Sequence, residues 1–110
     1  MSKLYDLFSN PAVESFGRAL RYALMTCEDY ASLIELEYVE TPVEFAESLK
    51  KFIRRYDACA RRYERETGQR SYRPNEAELD ELVRLTEEYK VRTVCSALIA
   101  HALVRPAKEE

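Results

Sequence analysis

The sequence predicts an all-α protein: a bundle of three long antiparallel helices preceded by a short N-terminal helix. Three observations carry that prediction. Apolar residues recur three and four apart along most of the chain, the spacing that gathers them on one side of a helix. Each long run is preceded by a side chain able to cap it: Asn10, Thr41 or Asn75. Only two glycines and four prolines occur in 110 residues, too few for long irregular connections. A chain of this size is one domain, residues 1–110, able to bury a modest core without disulfides or a metal.

Residues 2–8 read as a short helix or arm, with Leu4, Tyr5, Leu7 and Phe8 too apolar to stay free. Asn10 then caps the first long helix and Pro11 takes its first position. Its stripe is Val13, Phe16, Leu20, Ala23, Cys27, Tyr30 and Ile34, widened by Leu24, Ala31 and Tyr38, a heptad-like seam. Gly17 costs this helix up to about 1 kcal/mol relative to alanine, and a close helix crossing would be a reason to keep it. Residues 33–39 also alternate partly, as a strand would, but the seam running through Ile34 and Tyr38 favours helix. The helix is expected to stop before Pro42, because the residue before proline avoids helical geometry.

Residues 41–68 read as the second long helix. Thr41 and Glu44 make a capping box, Pro42 fits the first position, and Gly68 suits the left-handed terminal position. Ala46, Leu49, Phe52, Ile53, Tyr56, Cys59, Ala60 and Tyr63 share one side. A basic loop at residues 69–74 leads to Asn75, which caps the last long helix, with Glu76, Glu78, Asp80 and Glu81 near the positive end of its dipole. Leu79, Leu82, Val83, Leu85 and Tyr89 point inward, and residues 91–104 are apolar nearly all round. That run suits a central buried helix or a face against a partner subunit. It is shorter than the ~20 residues of a membrane span. Pro106 ends the helix before a charged tail.

The three cysteines are Cys27, Cys59 and Cys95, one per expected long helix. Their odd number and wide spacing predict buried free thiols in a reducing compartment, hence a cytoplasmic protein. No basic start followed by an apolar run marks a signal peptide, and no membrane partner is expected. His101, the only histidine, lies among alanines in the last helix and reads as a hydrogen-bonded core residue. No Cys or His pair has metal spacing, no nucleophile–base constellation is visible, and there is no glycine-rich phosphate loop. The acidic residues within 28–47 lack a calcium-loop pattern and read as a solvated face. The expectation is a non-enzymatic protein without metal or cofactor.

Charge is distributed unevenly. The net charge is −3. Residues 1–49 hold three basic and nine acidic side chains, whereas residues 50–73 hold nine basic and three acidic. On the second helix Lys50, Arg54, Arg61 and Arg65 form one line, and Lys51, Arg55 and Arg62 a second beside it. Arg70 and Arg73 extend the field into the loop, where Tyr72 is placed to stack on a base. Cations one or two turns apart can meet several phosphates of one strand. Glu47 is expected to pair with Lys51, and Asp57 with Arg61 or Arg54, leaving several cations free. The competing readings are docking on an acidic protein surface, including another copy of this chain, and a plain solvated face.

With this size, helix order and charge layout, from the capped Asn10–Pro11 helix to the apolar VCSALIAHALV close, the chain resembles the small helical subunit of CRISPR effector complexes, above all the archaeal type I-A complex. The resemblance implies a non-catalytic subunit, stacked in several copies beside the backbone subunits that hold guide RNA. Its basic surface would contact single-stranded or heteroduplex nucleic acid while base pairing reads sequence. The positions open to that role are Lys50, Lys51, Arg54, Arg55, Arg61, Arg62, Arg65, Arg70 and Arg73. A negative net charge departs from that pattern. The alternative is a helical adaptor or inhibitor that covers a protein partner with its charged faces.

Overall fold

The computed structural model describes residues 3–70 and 73–103. Those residues form six helices: α1 (Lys3–Phe8), α2 (Pro11–Cys27), α3 (Tyr30–Tyr38), α4 (Pro42–Thr67), α5 (Glu76–Glu88) and α6 (Val91–Leu103). The protein is all-α; of residues 33–39, the alternative strand, 33–38 belong to α3 and Val39 is its extended C-cap.

The caps act where the sequence places them. The Asn10 side chain accepts from the N–H groups of Ala12 and Val13, and Asn75 exchanges both bonds of a capping box with Glu78. The box expected at Thr41 forms only in half: Thr41 accepts from Glu44, but the Glu44 carboxylate accepts from the Glu40 N–H, one residue earlier. Gly68 ends α4 at φ 76°.

Only α4 is one long helix, so the three-helix expectation is corrected at two places. The first long helix breaks after Cys27. Glu28 turns left-handed at φ 53°, and the Asp29 carboxylate accepts from both the backbone N–H and the hydroxyl of Ser32, restarting the chain as α3. The last long helix breaks at Tyr89, whose backbone is extended. Both breaks have one physical cause. In α2 the buried residues centre on Val13, Phe16, Ala19 and Leu20, and in α3 on Ser32 and Leu36. At about 100° per residue an unbroken helix would put those two sets on opposite sides. The same holds for Leu82 and Leu85 of α5 against Val94 and Leu98 of α6. A straight helix cannot bury both sides against one core, so the chain breaks and re-aims the second stripe.

The two central helices are α2 and α6. They cross at Gly17, where a Cβ would lie 2.2 Å from the Cβ of His101. The glycine therefore buys close approach at the cost of helix propensity. His101 donates from Nε2 to the Phe8 carbonyl at 2.6 Å and stacks on the Phe8 ring. It holds α1 in place, along with the buried Leu7. Tyr5, expected to dock, is exposed. Helix α6 belongs to the core: Val94, Cys95 and Leu98 are fully covered. Helix α4 closes the other side against α2, α5 and α3, with Phe45, Leu49 and Phe52 fully covered and Phe52 near Phe16. From α6, Arg92 donates through Nη1 to the carbonyls of Leu36 at 2.7 Å and Val39 at 2.9 Å. It satisfies acceptors that the end of α3 leaves open.

The cysteines depart from expectation. Cys27 and Cys59 form a disulfide, with Cα atoms 6.2 Å apart. The break at Glu28 ends α2 beside the middle of α4, which wide sequence spacing conceals. Cys95 alone remains free, and burial pushes its thiol up to about 11. Among the described residues no helix is long and apolar enough to cross a membrane.

Candidate nucleic-acid interface

The candidate surface is the outer side of α4. Its 26 residues span roughly 39 Å, and the inner stripe of Leu49, Phe52, Tyr56 and Ala60 fixes which side faces out. All nine candidate cations, Lys50, Lys51, Arg54, Arg55, Arg61, Arg62, Arg65, Arg70 and Arg73, are exposed. Tyr72 lies outside the described residues.

Ion pairs divide the two lines of cations. In the second line, Lys51 turns to Glu35 of α3 at 2.9 Å. Arg55 donates to the Ser32 hydroxyl at 2.7 Å and lies 3.7 Å from Asp29 and 3.6 Å from Glu35. Glu47 is not the partner of Lys51, which corrects one expectation. The break at Glu28 turns the acidic α3 back beside α4, where an unbroken first helix would not bring it. In the first line, Arg61 pairs with Asp57 at 3.0 Å, as one of the two expected pairings has it. Asp57 also takes Arg73, which reaches Glu64 at 2.9 Å and folds the loop back onto α4.

Among the described residues, Lys50, Arg54, Arg62, Arg65 and Arg70 have no ion-pair partner. Lys50, Arg54 and Arg65 belong to the first line, and Arg61 between them remains 67% exposed despite its pair. Surface pairs of that kind are weak and exchange readily with another anion. Lys50 to Arg65 spans about 22 Å along the helix axis, a length that matches several phosphates of one strand. Beside this line, a cavity of about 450 Å³ opens between the end of α2 and α4. Arg55, Arg62 and Arg65 line it together with Asp29, Ala23, Tyr56 and the two disulfide-bonded cysteines.

The sequence supplied the cations but not their bookkeeping. Asp29 and Glu35 neutralise part of the field from a neighbouring helix, and nothing in their local spacing announces it. Arg92, in a run that the sequence shows as apolar nearly all round, caps α3 from across the core.

Over 108 residues the chain is 48% identical to an uncharacterized protein of Archaeoglobus fulgidus, a match that covers 98% of this chain and 88% of that protein. No family model matches the chain, and no solved structure matches it.

Proposed function

For this chain, which belongs to the same family as the Archaeoglobus fulgidus protein, we propose a non-catalytic role: a helical subunit of a nucleoprotein assembly that holds a nucleic-acid backbone along α4. The observation that carries this reading is the line of Lys50, Arg54 and Arg65, exposed on one side of α4 and without acidic partners among the described residues. Its ligand is a polyanion of regular charge spacing, and the contacts it offers are to phosphates, which position a strand without reading its sequence. Arg61 completes the line once a strand competes with Asp57 for it, and Arg62 stands in the second line beside it. The resemblance to the small subunit of CRISPR effector complexes supports the same role, with sequence recognition left to base pairing. A negative net charge makes other subunits part of the proposal, since they complete a groove that this chain lines on one side.

The test is fluorescence anisotropy of a labelled single strand of about 40 nucleotides, titrated at several salt concentrations. Affinity should fall linearly on a log–log salt plot. Replacing Lys50, Arg54 and Arg65 together by glutamate should lower the slope by about 2, at ~0.7 per lost phosphate contact on a single strand. A triple variant with wild-type affinity and slope refutes the reading.

A further inference from the structure

The groove between α3 and the first half of α4 belongs to neither the core nor the cationic line. Tyr30, Ile34 and Tyr38 recur every four residues on the outer side of α3 and are 61%, 56% and 75% exposed. These are the residues that a continuous first helix would have buried, and the break at Glu28 turns them out. Ile34 and Tyr38, with Ala31, line a groove of about 600 Å³ whose opposite wall is α4. Glu44 and Glu47 stand on that wall, and Glu40, whose N–H donates to the Glu44 carboxylate at 2.9 Å, is exposed beside it. Among the described residues none of these three carboxylates has an ion-pair partner. At the far end, two cations, Lys51 and Arg55, line the groove and both reach Glu35, at 2.9 and 3.6 Å.

The geometry points to a docking surface for a basic amphipathic helix of another protein. Three large apolar side chains in one row on a helix match the anchors that such a ligand presents at i, i+3 or i+4, and i+7. The uncompensated carboxylates select its flank: lysines or arginines beside the apolar stripe. The same carboxylates disfavour the other occupants. A second copy using this face symmetrically would set like charges together, and an anionic membrane or nucleic acid would be repelled. The surface is separate from the phosphate line of α4 and does not rest on it.

The probe is a fluorescein-labelled helical peptide of leucine and lysine, about four turns long, with a leucine–glutamate peptide of the same pattern as its control. The lysine peptide should bind and the glutamate peptide should not. Ile34→Ser with Tyr38→Ser, which leaves net charge unchanged, should weaken binding at least about tenfold. Both side chains are more than half exposed, so this variant should melt within about 2 °C of the wild type and keep its affinity for a labelled single strand. Glu40→Lys with Glu47→Lys should reverse the preference between the two peptides. Unchanged binding by the Ile34/Tyr38 variant overturns the proposal, because the attraction is then charge alone. Equal binding of both peptides overturns it as well. So does a wild-type dimer in sedimentation that the Ile34/Tyr38 variant abolishes, since a second copy then covers the row.

Discussion

Cys95 shows how burial sets a side chain's chemistry. It lies at the centre of α6 with no solvent exposure, and desolvation raises its thiol to about 11. A buried thiol of that kind is a small apolar side chain rather than a nucleophile. The pH dependence follows in sign. The folded-state value lies above the unfolded one, and the neutral form is the one the core accepts. The contribution is therefore whole below the unfolded value and is lost as pH rises from about 9 to about 11. The loss should be about 2–3 kcal/mol, at 1.36 kcal/mol per unit. Urea titrations at successive pH values read it directly. Cys95→Ala should begin less stable, because it leaves a small cavity, and should lose less over that interval. Equal slopes for both proteins would mean that other groups carry the alkaline loss.

At the scale of elements, the sequence made the ends of helices legible and left their interruptions hidden. Asn10, Thr41, Gly68 and Asn75 act as caps because each is a local decision, settled by one side chain or one backbone angle. The breaks at Glu28 and Tyr89 answer to the core, which lies far away in sequence. Tyr30, Ile34 and Tyr38 continue the α2 seam in spacing, yet Ser32, Leu36 and Val39 are the residues buried. Periodicity shows that one side is apolar and does not show which of two apolar sides finds a neighbour. The candidate site divides likewise: its cations were legible from helical spacing, whereas Asp29 and Glu35 reach Arg55 and Lys51 only because α3 turns back along α4. Glu28 records the strain of that turn, being the one non-glycine residue at positive φ among those described. Glu28→Gly should relieve it and stabilise the protein by about 0.5–1 kcal/mol. If the turn is instead unstrained, the added chain entropy of glycine makes the variant less stable, and thermal melting decides the sign.

At the scale of the molecule, the uneven charge of the chain is partly an internal matter. The acidic α3 and the basic α4 are neighbours, so Lys51 and Arg55 spend their charge within the fold while Lys50, Arg54 and Arg65 keep theirs. The two proposed surfaces thereby depend on different parts of the fold. The cationic line lies on α4 alone, and its spacing survives as long as that helix does. The apolar groove needs α3 held against α4, and the Cys27–Cys59 bond anchors the junction that leads into α3. That bond closes a loop across a sequence separation of 32 residues, which corresponds to about 3–4 kcal/mol by loop entropy. Reduction should lower the melting temperature by at least about 10 °C, and Cys27→Ser with Cys59→Ser should melt at the reduced value with or without reductant. Below that melting range, reduction should weaken the leucine–lysine peptide more than the single strand, because it loosens the seat of α3 and leaves the α4 line intact. Equal weakening of both ligands would mean that the two surfaces share one support. A melting temperature indifferent to reductant would mean that packing of α3 against α4 and α6 holds the junction by itself.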